Sequence, residues 1–348
     1  MPAVRVRGRA LPDGEFVDLC SDGDRWTTDP ARDAVVIEGW LLPGLVDAHT
    51  HPGAAKPGDP LDHELLRSDL EQHVASGVTL IRCPGLAGEP PDWFGADSAL
   101  PRGSHAGPWI AQHGQFFDGW GRRASHDDLP RVAAEQASRT GWAKLIADWG
   151  VDHEAVPASV LTAVVAAVHA VGGRVAVHSQ QSDGGAAAVA ARVDSIEHGM
   201  CLDPALLPQM ASQGTALTPT LAVILGSIER MRQAEDARRR QWFLEGASAH
   251  GALAVAAAEA GVTLLAGSDS RPHGRIANEV HALASAGVPP HVALGAASWT
   301  ARDYLGLPGL VEGAPADAVV YASDPRTDLT QLDHPIAVVL RGALVLRA

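Results

Sequence analysis

Short runs in which apolar and polar residues alternate open the chain. "AVRVRG" (3–8), "EFVDLC" (15–20) and "DAVVIEG" (33–39) are separated by Gly, Asp and Pro, as half-buried strands are separated by turns. The far end has the same texture, because "ADAVVYASDP" and "IAVVLRGALVLRA" also read as strands around turn residues. Residues 1–43 and 311–348 are therefore expected to build a small β-sandwich domain together.

Between them, over 44–310, short β-branched runs alternate with Ala-rich stretches of helical period. That rhythm predicts βα repeats and a parallel sheet. Eight strands can be marked, "LLPGLVDAH" (41–49), "GVTLIRC" (77–83), "GPWIAQ" (107–112), "WAKLIAD" (142–148), "RVAVH" (174–178), "VDSIEH" (193–198), "TALTP" (215–219) and "VTLLAGSD" (262–269). Helical segments lie between most of them, for instance "PASVLTAVVAAVHAVGG", whose closing Gly pair predicts a C-cap. The expectation is an α/β fold, a (β/α)8 TIM barrel. A doubly wound sheet is the alternative, but no GxGxxG follows any strand. Little helix is expected in the Pro/Gly-rich stretch 84–108. Residues 222–255 look helical and carry Arg230, Arg232, Arg238, Arg239 and Arg240, which suits a solvated face or a lid.

Composition narrows the function. The chain of 348 residues is 46% apolar, enough for a large core, and its net charge of -14 speaks against nucleic acid or an anionic membrane as partner. Three widely spaced cysteines without a CxxC pair suggest neither a disulfide framework nor a thiolate metal site. The N-terminus lacks the apolar core of a signal peptide and no stretch reaches ~18 apolar residues, so a soluble cytoplasmic protein is expected. The partner is expected to be a small molecule, with homo-oligomerisation open.

The chemistry gathers at strand ends, which form the active face of a parallel barrel. His49 and His51 close the first strand one residue apart, so they point the same way and can chelate one ion. His178, His198 and Asp269 close the fifth, sixth and eighth. Lys144 stands inside the apolar fourth strand, and only Lys56 and Lys144 are lysines among 27 basic residues. A buried ammonium tends to shed its proton and become nucleophilic. Such an amine can capture CO2 as a carbamate that bridges metals, can form a Schiff base, or can simply reach solvent. Nitrogen and oxygen donors without sulfur suit Zn²⁺ first, with Mn²⁺, Fe²⁺ and Ni²⁺ open.

With these residues in place, the chain resembles the amidohydrolase superfamily, in its imidazolonepropionase-like and prolidase-like branch. "LLPGLVDAHTHPG", "VAVHSQQSDGGAAAVAARVDSIEHG", "LLAGSDS" and the segment running from "NEVHALASAG" to "ADAVVYASDP" carry the likeness along nearly the whole chain. The resemblance implies two divalent ions, one on His49, His51 and Asp269, the other on His178 and His198, bridged by a Lys144 carbamate and a hydroxide. It implies hydrolysis of an amide C-N bond in a small molecule such as a dipeptide, an N-acyl amino acid or a cyclic amide, with Asp269 moving the proton. A mononuclear deaminase or imidazolonepropionase-type enzyme, in which His198 contacts substrate, is the alternative, as is a carbamate, ester or lactone hydrolase. A non-catalytic scaffold fits poorly, since every ligand position is filled.

One stretch departs from the family pattern. Relatives often carry a Gly-Gly-His element after the third strand, where this chain reads "AQHGQFFDGWGRRASH" (111–126) with Trp120 near the expected histidine. His113, Phe116, Phe117 and Trp120 are candidates for substrate contacts, or for plain loop packing.

Overall fold

Residues 2–151 and 153–347 are described by the computed structural model of the protein. The alternation at the N-terminus buries Val4 and Val6 on one face of β1 (Val4–Ala10) and leaves the intervening Arg5 less covered. Next come β2 (Glu15–Asp22), β3 (Arg25–Thr27) and β4 (Val35–Pro43). The central strands are β5 (Leu45–Asp47), β6 (Val78–Cys83), β7 (Arg102–His105), β8 (Ile110–Gln112), β9 (Arg122–Ala124), β10 (Trp142–Ile146), β11 (Arg174–Ser179), β12 (Ser195–His198) and β13 (Ala216–Thr218). The chain closes on β14 (Ala318–Tyr321), β15 (Ala337–Leu340) and β16 (Ala343–Arg347).

The two ends meet in one seven-stranded sheet. Its order is β16-β15-β14-β4-β1-β2-β3. The reason lies in β4, which pairs in parallel with β1 on one side and antiparallel with β14 on the other. One ladder therefore holds both termini, and Leu41, Val320, Val339 and Trp26 fill the core against it.

The expected first barrel strand divides at Gly44. Its first half is the end of β4, and only β5 joins the central strands, pairing in parallel with β6, which pairs with β7. A second parallel sheet runs β13-β12-β11-β10-β8-β9. Of the expected third strand, 107–112, only β8 is regular, beside β10, while β7, which pairs with β6, lies just before it in the stretch 84–108. The expected eighth strand is not regular. Residues 262–269 form only single bridges, Leu264 with Leu217 and Asp269 with Thr50, so regular pairing stops short of a closed ring. Its end is turned out of ladder geometry by Asp269, whose φ is 61°.

Helices cover the outside of the central strands because their apolar positions recur at helical spacing. Leu161, Val164, Val165 and Val168 form one buried stripe on the helix Ala158–Ala170, which stops before Gly172 at φ 75°. The stretch 221–259 forms three helices, Leu221–Gly226, Ile228–Arg232 and Ala237–Glu259. Among the described residues, no helix is long and apolar enough to cross a membrane.

Candidate metal centre

Two residues past the end of β5, the period-two geometry brings the rings of His49 and His51 together, with Nε2 atoms 3.1 Å apart. Asp269 Oδ1 lies 3.3 Å from the first and 3.4 Å from the second. Close approach of the eighth segment is possible because residue 267 is glycine: a Cβ there would fall 2.4 Å from the Cβ of His49.

The other ring nitrogens are already committed. His51 Nδ1 lies 2.7 Å from the Gly85 carbonyl oxygen, which can only accept, so this nitrogen carries the proton. His49 Nδ1 donates to Glu197 Oε2 at 2.6 Å. Burial pulls the His51 pKa down to about 3, with the nearby His49 pulling the same way, so its ring is neutral and its Nε2 presents a bare lone pair. Burial pushes the Asp269 carboxyl up, but the hydrogen bond and charge of His49 outweigh it and hold the group well below the usual carboxylate range. Two imidazole nitrogens and a carboxylate converging within 4.8 Å form a donor set that suits a divalent cation.

Glu197 and Arg82 brace this arrangement, and neither was singled out from the sequence. The Arg82 guanidinium donates through one nitrogen to both Glu197 oxygens, at 2.8 and 2.9 Å, and through Nε to the Ala48 carbonyl at 2.7 Å. Ser195 donates to Glu197 Oε1 at 2.6 Å. Burial works against the Glu197 charge, but Arg82, then Lys144 and His49, prevail and keep it ionised. Arg82 could have been flagged by the signal that flagged Lys144, a cation inside an apolar strand.

His178 and His198 stand on the far side of His49. The ring of His198 is 4.6 Å from that of His178 and 4.9 Å from that of His49, and its Nδ1 is 2.7 Å from the Thr220 hydroxyl. Burial lowers His178 to about 3 and drives His198 well below its ordinary value, so both rings are neutral donors. Lys144 Nζ is buried with no hydrogen-bond partner among the described residues, and burial lowers its pKa to about 8. His198, Thr220, Asp269 and Phe116 all have positive φ, at 67°, 48°, 61° and 68°. Non-glycine residues held there cost ~1–3 kcal/mol each and gather where function requires the geometry.

A cavity of about 880 Å³ opens above these groups and is lined by His49, His51, Lys144, His178, His198 and Asp269. Phe116, Phe117 and Trp120 line it as well. His113 does not: it stands exposed on the loop beside Gly114, whose φ of 77° turns the chain away. Of the five arginines noted in the helical stretch 222–255, Arg230 and Arg239 reach the cavity. Arg232 pairs instead with Glu229 at 3.1 Å.

The profile of the amidohydrolase family matches residues 40–345. An uncharacterized protein of Mycobacterium tuberculosis strain H37Rv is 39% identical over 360 aligned positions, covering 97% of this chain and 95% of that one. The chain belongs to the amidohydrolase family. Among solved structures, this amidohydrolase is similar to a Xaa-Pro dipeptidase with methionine in its active site, at TM-score 0.85 and 22% identity over 98% of this chain and 99% of the other. It is similar also to a putative prolidase from Bifidobacterium longum, at TM-score 0.85 and 23% identity over 99% and 95%. At those identities the likeness speaks for the fold, and in this family that fold is a TIM barrel of α/β composition.

Proposed function

We propose that this amidohydrolase cleaves an amide C-N bond in a small molecule such as a dipeptide, an N-acyl amino acid or a cyclic amide. The observation that carries the proposal is the pair of imidazole Nε2 atoms 3.1 Å apart beside an ionised Asp269, lining a roomy cavity. His49, His51 and Asp269 would hold one divalent cation, zinc by donor type, while His178 and His198 would hold a second with Lys144 as its carbamate. When bound, such ions polarise a carbonyl and make water acidic enough to serve as the nucleophile near neutral pH.

The remaining work falls to the chain itself. Asp269 faces the cavity, so its carboxylate can take a proton from the attacking water and return it to the leaving nitrogen. Atoms balance: a C-O bond forms, the C-N bond breaks, and the amine leaves with the transferred proton. Glu197 fixes the His49 ring, the Gly85 carbonyl fixes His51, and Thr220 contacts His198, so the donors stay aimed without reorganisation. The dipeptidase and prolidase among its structural neighbours favour substrates of amino-acid size.

A panel of N-acyl amino acids, dipeptides, carbamates and lactones tests this on metal-loaded protein. Turnover of amides, lost in Asp269→Asn, is expected; turnover untouched by Asp269→Asn would refute the proton carrier, and amides left intact while lactones react would refute the bond assignment. One observation favours a mononuclear alternative, since only His49, His51 and Asp269 converge as a ligand cluster among the described residues. Metal analysis separates the two, with near two equivalents expected per chain and one equivalent favouring the alternative.

A further inference from the structure

The wall of the cavity is an unbroken arc of rings. His51 lies 5.0 Å from Trp109, which stacks on Trp120 at 4.6 Å with only 12° between planes. Trp120 meets Phe117 at 5.6 Å, Phe117 meets Trp149 at 4.8 Å, and Trp149 meets His178 at 5.6 Å. The arc thus spans from a candidate ligand of one ion to a candidate ligand of the other. Aromatic residues are only 5% of the sequence, yet four of the nine tryptophans (Trp109, Trp120, Trp149 and Trp242) line this one cavity, Trp109 and Trp120 as a buried backing and Phe117 and Trp149 more openly.

We infer that this aromatic arc is a subsite for a flat aromatic group carried by the substrate next to its scissile amide. This rests on the proposed hydrolysis and specifies its substrate class. The Trp120 Nε1 hydrogen is spent on the Asp59 carbonyl at 2.6 Å and its ring is stacked on Trp109, so the accessible part of the arc is the ring surface of Phe117 and Trp149. Ring surface recognises either a flat apolar group or a cation. The charges lining the mouth decide between them: with Arg271 paired to Asp69 and Asp269 held against the imidazoles, Lys56, Arg230 and Arg239 stand against Glu235 and Asp236, a net positive rim that disfavours a cationic ligand. A neutral or anionic arene is the complementary guest, packed against the accessible ring surface of Phe117 and Trp149.

The test compares three substrates of the metal-loaded enzyme: N-benzoylglycine, N-cyclohexanecarbonylglycine of similar bulk but no flat face, and N-acetylglycine. Benzoyl is expected to exceed cyclohexanecarbonyl in kcat/KM by roughly three- to tenfold, the range of aromatic pairing beyond simple burial. Phe117→Ala, at a side chain 37% exposed and so safe for folding, is expected to narrow that ratio through KM. Independently of turnover, quenching of tryptophan emission is expected to show benzoate binding at least about threefold more tightly than cyclohexanecarboxylate. Equal binding of the two acids, or a ratio that Phe117→Ala leaves alone, overturns the subsite. Preferential benzoate binding without hydrolysis of any amide retains the subsite and removes the hydrolytic reading.

Discussion

Replacing Glu197 by Gln probes the bracing of the candidate centre most directly. Glu197 is fully buried and Arg82 is 1% exposed, so the carboxylate is what neutralises a guanidinium shut away from water. The two oxygens also serve His49 and Ser195, and an amide offers one acceptor where four contacts need two. Leaving one partner of a buried ion pair uncompensated costs about 3–5 kcal/mol. Weakening the partner of a metal-binding histidine lowers affinity by about 10–100-fold. Urea unfolding of the metal-free protein measures the first effect, and competition for Zn²⁺ against a chelator measures the second. The double variant Arg82→Met with Glu197→Gln removes both charges, so it is expected to be less destabilised than the single Glu197→Gln. Glu197→Gln within about 1 kcal/mol of the parent, with unchanged metal affinity, would refute the reasoning, since it would mean that the buried guanidinium needs no counter-charge.

Other outcomes follow from the same geometry. Lys144→Met is expected to remove one metal equivalent while the metal-free fold is retained, because the buried Nζ makes no hydrogen bond among the described residues that the thioether would forfeit; elemental analysis and thermal unfolding check this. The metal-free protein is expected to lose stability as pH falls. His51 and His178 are lowered to about 3, so below 6.5 the unfolded chain binds protons that the folded one refuses, and ΔG of unfolding declines between pH 6.5 and 3 by roughly 1.4 kcal/mol per unit for each such group. Denaturant titrations at several pH values would show a flat profile there if these rings were protonated in the fold. Gly267→Ala would set a methyl group 2.4 Å from the His49 Cβ, so it is expected to displace the eighth segment and weaken metal binding at least about tenfold in the same chelator assay, the scale seen when the support of a ligand is lost.

How much of this was legible in one dimension depends on what kind of signal each residue gives. Period-two alternation and apolar runs are local, so strands at the ends, βα repeats in the middle and the helix Ala158–Ala170 could be read directly. His49, His51 and Lys144 stood out because polar groups at the end of, or within, a buried strand contradict their surroundings, and such contradictions carry a cost that function has to justify. Glu197 gave no such warning. It precedes His198 in a strand that should send neighbours to opposite faces, and only the left-handed turn at His198, with φ 67°, allows both to serve the interior.

The tertiary structure alone decided the rest, because it depended on contacts between distant segments. That the terminal strands share one ladder follows from β4 having two free edges, which no hydropathy pattern records. The aromatic arc joins rings from 109 to 149 through loop geometry, while His113, four residues from Phe117, is turned to solvent. Sequence patterning determines which faces must be buried, since transfer from water is a property of each residue. Which polar groups then meet depends on how distant segments close on one another, and that geometry exists only once the chain has folded.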